Sequence, residues 1–203
     1  MSSFLGPIHF WLYEKIKIQE ELTIYFYNAA IKNGWFDEKN SEAALLVKKD
    51  LRPLEDIIDT MNIHAWLQEC IHDAEGRYAK LITKLTVTVP MIELEKIAFE
   101  FGKLHTAGKV SVQDAYKFFD DIFLNGMPCD RVNISTQQDN SCFSWEQTHD
   151  IHAEYWLAFQ GYPETYYKLR KQVMLGMLDG SGLILENPDY LHYSIKKENQ
   201  CTQ

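Results

Sequence analysis

Apolar residues recur at helical spacing along most of this chain. From Ile8 to about Lys32 they run Ile8, Trp11, Ile18, Leu22, Tyr25, Phe26 and Ala29, the three-and-four interval that places side chains on one face of an α-helix. Pro7 suits the first helical position, and Asn33-Gly34 supplies a stop. Ser41 can cap a short helix over Glu42 to Asp50. Pro53 opens a second long segment, in which Leu54, Ile57, Ile58 and Met61 lead into Leu67, Cys70, Ile71, Ala74, Tyr78, Leu81 and Leu85. This reads as one helix, or as two with a break near Asn62. Its β-branched end, Thr86 to Val89, suits an extended exit before Pro90. A third long helix covers about Met91 to Thr106, with Leu94, Ile97, Phe101 and Leu104 on one face and Gly108 as terminator. Ser111-x-x-Asp114 has capping-box spacing and opens a helix to about Leu124.

The stretch from Gly126 to Ser141 is rich in Asp, Asn, Gln, Ser and Thr and reads as a long loop, of the kind that forms lids and binding segments. Ser144 to Gln160 has the pattern of a fourth core helix, closed by Gly161. Pro163 opens another, with Tyr166, Leu169, Val173 and Met177 at helical spacing. Asp179 to Gly182 is a turn, Leu183 to Tyr193 a short strand or helix, and Lys196 to Gln203 a frayed tail. The pattern predicts an all-α single domain over residues 1–195, a bundle of four long core helices with additional short helices.

Charge and motifs narrow the function classes. A net charge of −9 argues against a general nucleic-acid binder, which needs a positive field toward the phosphates. No apolar run approaches the ~20 residues of a membrane span. Residues 1–12 lack a signal-peptide pattern, so a cytoplasmic protein is expected. None of the four cysteines forms a C-x-x-C pair, which removes zinc knuckles and thioredoxin-type chemistry. Cys129 and Cys142 bracket the polar stretch and would close it if oxidised. Phosphate-binding glycine loops, the G-x-S-x-G elbow and H-E-x-x-H are all absent from the sequence. An acidic surface with aromatics permits a homodimer, and a small-molecule or protein partner is left open.

Histidine carries the remaining signal. E-x-x-H occurs at Glu69 to His72 and at Glu146 to His149, and paired motifs of this kind on bundle helices can hold two metals. Glu20 and Glu100 would stand in order to complete such a set. At ~100° per residue, however, Glu69 and His72 point away from the stripe of their helix. The fourth helix gives the opposite result. Trp145, His149, His152, Trp156 and Phe159 follow one another at i, i+4, i+7, i+11 and i+14, a bundle seam that would turn both histidines inward. Two buried imidazoles need hydrogen-bonding partners or a metal ion. Glu93 and Glu100 edge the third helix's face, His64 and Glu75 flank that of the second segment, and Lys15 and Gln19 interrupt the first. A polar patch inside the bundle is therefore expected.

A bundle with inward histidines broadly resembles hemerythrin-like and ferritin-like metal-binding bundles. The resemblance is architectural and covers the four long helices alone. The H-x-x-x-E and H-x-x-x-H spacings of the first family are absent, and one of the two motifs of the second is out of phase. The leading expectation is iron, zinc or manganese held by His149, His152, Glu146, Glu100 and His64. The alternative is an interaction or small-ligand-binding module in which the histidines are structural.

Overall fold

The first two apolar stripes become the two longest helices. In the computed structural model, which describes residues 4–37 and 41–198, α1 spans Pro7–Lys32 and packs along a helix at Ile63–Thr86. Between them lies α2 (Ser41–Ala44), so the helix expected over 42–50 is a single turn. The long helix at Ile63–Thr86 is α3. Leu54–Asp56 forms one 3-10 turn, and α3 begins past the expected break at Asn62. At its other end the helix continues through Thr86, and the amides of Thr88 and Val89 bond back to the Leu85 carbonyl, which closes the helix where an extended exit was expected.

α4 (Met91–Leu104) and α5 (Val112–Ile122) follow the sequence pattern closely. The Ser111 hydroxyl accepts from the Asp114 amide at 3.1 Å, satisfying one of the free donors of the first turn. α4 packs against a later helix at Pro163–Met177 with almost no side chain between the backbones. A Cβ on Gly102 would stand 2.1 Å from the Val173 carbonyl oxygen, and one on Gly176 would stand 2.1 Å from that of Phe99. Only glycine permits this approach.

The all-α expectation is overturned by a four-stranded antiparallel sheet in the order β1-β2-β4-β3. Its strands are β1 (Asn133–Gln138), β2 (Cys142–Gln147), β3 (Leu183–Glu186) and β4 (His192–Lys197). The polar stretch read as a loop contains β1. The stretch read as a fourth core helix is β2, a turn, and the short α6 (Ala153–Ala158). The helix at Pro163–Met177 is α7.

The physical reason is a clash of periods. Cys142–Gln147 buries Phe143, Trp145 and Gln147 alternately, the period of a strand. The same Trp145 also starts the helical series through His149 and Trp156. Asp139 makes the hairpin by accepting from the amides of Ser141 and Cys142 and from the Ser141 hydroxyl. The register shifts between Ser135 and Gln137, a bulge in a strand whose residues are otherwise exposed. β4 is central in the sheet, with Ile195 fully buried, so ordered chain extends into the expected tail at Lys196 and Lys197. The part of that tail from residue 199 lies outside the described residues.

The interior has two apolar regions. One gathers Leu12, Tyr13, Ile16, Leu67, Ile71 and Ala74 at one end of the α1–α3 pair. The other holds the opposite end of that pair together with α4, α5, α7 and the sheet. The aromatic rings of Tyr116 and Phe119 on α5 lie against Phe143 and Trp145 on β2. Among these apolar side chains α1 also buries Lys15, Gln19, Glu20 and Thr23, and α3 buries Glu75. The Arg77 guanidinium donates to Glu20 at 2.6 Å. Of the expected polar patch, Lys15, Gln19 and Glu75 are buried, whereas His64 and Glu100 are exposed and Glu93 is half-buried. Cys70, Cys129 and Cys142 are free thiols, and Cys201 lies outside the described residues. Among the described residues, no helix is long and apolar enough to cross a membrane.

Two glycines on different helices should respond oppositely to alanine. Gly102→Ala forces α4 off α7 and should cost about 1–3 kcal/mol, as overpacking does. Gly76→Ala on α3 meets its nearest neighbour at 4.0 Å and should gain up to about 1 kcal/mol from helix propensity. Urea unfolding of the two variants checks the sign of each.

Candidate functional site

α3 and α6 face each other through two cross-helix pairs. On α3, His72 and Glu75 stand three residues apart, and His152 and Tyr155 repeat that spacing at the start of α6. Such spacing puts both members of each pair on one helix face. The inner pair is His152 Nδ1 to Glu75 Oε1 at 3.1 Å, with side chains 1% and 2% exposed. The outer pair is Tyr155 Oη to His72 Nδ1 at 2.6 Å, at the protein surface.

The turn out of β2 fixes His152. Asp150 Oδ1 accepts from the amides of His152 and Ala153 at 2.9 and 3.0 Å, and from the Tyr167 hydroxyl at 2.7 Å. This carboxylate starts α6 and ties it to α7. The imidazole stacks on Tyr166 with ring centroids 3.9 Å apart. Arg170 donates to the Tyr166 hydroxyl at 3.0 Å and to Asn125 Oδ1 at 2.9 Å. Burial raises the Tyr166 phenol far above its ordinary range, so it stays neutral beside the imidazole.

These groups border a cleft of about 300 Å³ lined by Gln68, His72, Glu75, His149, His152 and Tyr155, with Asp130, Asp150 and Glu154 also on its wall. Two buried atoms of the lining residues have no hydrogen-bond partner: Glu75 Oε2 and His152 Nε2. A carboxylate only accepts hydrogen bonds. With Glu75 ionised and the imidazole neutral, its one proton sits on Nδ1 and Nε2 keeps a free lone pair. An oriented imidazole backed by a carboxylate can accept a hydrogen bond or take a proton.

The sequence-predicted ligands do not form one set. His149 and His152 both reach this cleft, but through a turn and a helix start. His149 is exposed and bonded to its neighbour Thr148 at 2.9 Å. Glu146 is on β2, with one oxygen 3.6 Å from His192. Glu100 is an exposed α4 residue 3.5 Å from Lys103. His64, near the start of α3, lies 3.4 Å from the His9 ring nitrogen. Among the described residues, no group of three or more His, Cys, Asp or Glu side chains is placed to hold a metal ion. The expected set of metal ligands is corrected accordingly.

Glu75 was legible in the sequence as a residue flanking the α3 stripe. His72, turned away from that stripe, reaches the cleft because α6 crosses α3 on that side. Tyr155 and Asp150 gave no signal, since their roles depend on a turn that the helical reading erased. No protein-family model matches the chain, and no curated protein or solved structure matches it.

Glu75 should be replaceable by an acceptor but not by a hydrocarbon. Glu75→Ala leaves the buried Nδ1–H of His152 unpaired and should cost about 1–3 kcal/mol. Glu75→Gln keeps an acceptor and should cost clearly less. Equal losses in guanidinium unfolding would show that the pair contributes nothing specific.

Proposed function

We propose that the α3–α6 cleft binds a small polar organic molecule and that His152 is its proton acceptor. The observation that carries this reading is the pair of buried, unpartnered atoms, Glu75 Oε2 and His152 Nε2, on residues lining one cleft. Leaving such atoms unpaired costs free energy, and a ligand that donates to both removes that cost. Ligand pockets commonly combine a few convergent polar groups in this way.

The chemistry of the wall selects the ligand class. With the imidazole neutral and Glu75 ionised both atoms accept, so a matching ligand presents N–H or O–H groups. Glu75, Asp130, Asp150 and Glu154 outnumber the histidines on the wall and favour a cation. A small amine carrying a hydroxyl or a second amine meets both requirements and suits a volume at the lower end of ligand pockets. The outer Tyr155–His72 pair lines the same cleft at the protein surface, where its hydrogen bond can be exchanged for one to water or ligand.

Ethanolamine, putrescine and glycerol provide a direct test by thermal unfolding. A binder present at a hundredfold excess over its Kd adds about 2.7 kcal/mol, or roughly 5–10 °C for a domain of this size. The amines should raise the Tm of the wild type, glycerol should raise it less, and Glu75→Gln should lose most of the amine effect. Equal shifts in the wild type and Glu75→Gln, or no shift with any of the three, would overturn the reading.

A further inference from the structure

A second cleft, of about 500 Å³, opens on the other side of the segment around Gly126. α1 contributes Trp11 and Lys15, α5 contributes Tyr116 and Asp120, Asn125 and Arg131 come from the connection into β1, and Asn133 is the first residue of that strand. Lys15 is the unusual member. It is 3% exposed, although lysine is almost never buried unless paired. Its pairing is loose: Asp120 Oδ1 stands 3.8 Å from the ammonium, beyond hydrogen-bond distance. The ammonium lies over the Trp11 ring, 4.0 Å from its centroid. A further lining atom, Asn133 Oδ1, is buried without a partner.

We propose that Lys15 is a carbonyl-reactive amine and that this cleft takes a small oxo acid, held as a Schiff base. Three features support the assignment. The amine is desolvated inside a cleft large enough for a metabolite, which is the environment that activates lysine as a nucleophile. A carboxylate, Asp120, stands 3.8 Å from the ammonium, on the side where a carbinolamine formed on that nitrogen could exchange protons with it. Arg131 supplies a cation on the wall for the acid group of the ligand, in the planar form suited to carboxylates. Arg131 also holds a left-handed backbone conformation, with φ of 47°, which is rare outside glycine.

Burial, opposed by Asp120 and Asp121 and assisted by Arg170, lowers Lys15 to about 8. Roughly a tenth of the amine is then neutral at pH 7, far more than for an exposed lysine. In the reaction the neutral amine attacks the carbonyl carbon, and an N–C bond forms. The amine proton moves to oxygen to give a carbinolamine. Protonation of that hydroxyl, with Asp120 as the relay, breaks the C–O bond and releases water, leaving a protonated imine. One amine, one carbonyl and one proton give one iminium and one water, and the step needs no oxidant.

Trapping with cyanoborohydride tests this on the full chain. The protein is incubated at pH 7 with pyruvate, or with acetone as a carboxylate-free comparison, and adducts are mapped by peptide mass. Lys15 should be modified by pyruvate at least tenfold faster than the exposed Lys49 and Lys109. Asp120→Asn should slow labelling at Lys15 but not at Lys109. Arg131→Ala should erase the preference for pyruvate over acetone. Labelling of Lys15 no faster than that of Lys49 would overturn the proposal, as would indifference to both substitutions. Lys15→Met removes a buried charge and should unfold at a higher temperature than the wild type. A lower temperature would show that the ammonium is a structural requirement and would overturn the assignment.

Discussion

A charge can stay inside a protein only where its surroundings replace the water it has lost, and the junction of α1 and α3 is arranged around that constraint. Glu20 is fully buried and is held by the Arg77 guanidinium. Glu75 is held on one oxygen by His152. To deliver that imidazole the chain needs the Asp150 turn after β2, and to hold the ring flat it needs Tyr166 on α7. The sheet, the short α6 and α7 thus meet at a carboxylate on α3. Removing one partner of such a buried pair generally costs more than the pair contributes over an apolar replacement, so these residues restrict how the elements can be arranged more than they add stability.

The helical half of the fold was legible because its signals were local and in agreement. In α1 the apolar interval, Pro7 and the Asn33-Gly34 stop all point to the same segment. In α5 the Ser111 cap is seen as expected. The sheet was illegible for a specific reason. β1 is a polar, exposed strand with a single half-buried residue at Asn133, so it has no apolar alternation to read. β2 has alternation, but it is only six residues long and runs straight into Trp156 at a helical interval. Over a window of that length the two periods cannot be told apart, and the longer pattern prevailed.

The candidate site was legible in part. His152 is legible as a buried imidazole that needs a partner, and that partner is Glu75, a residue that only flanks the α3 stripe. His149 was placed inward by the same helical count and is exposed. Glu146, Glu100 and His64 read as edge residues of facing helices, and in the fold each stands beside a different side chain: His192, Lys103 and His9. The interrupted α1 stripe was the more reliable sign. Lys15 and Gln19 break an otherwise apolar face, and both are buried.

The bulge in β1 bears on how the molecule behaves among its own copies. An edge strand offers free amides and carbonyls at regular intervals, and a neighbouring chain can read them as a template for one more strand. The register shift between Ser135 and Gln137 interrupts that interval near the middle of the strand, and the bend that accompanies a bulge turns the two halves out of line. A sheet can therefore end in water here, on a nearly side-chain-neutral strand, without inviting the filament growth that a straight edge of the same composition would support.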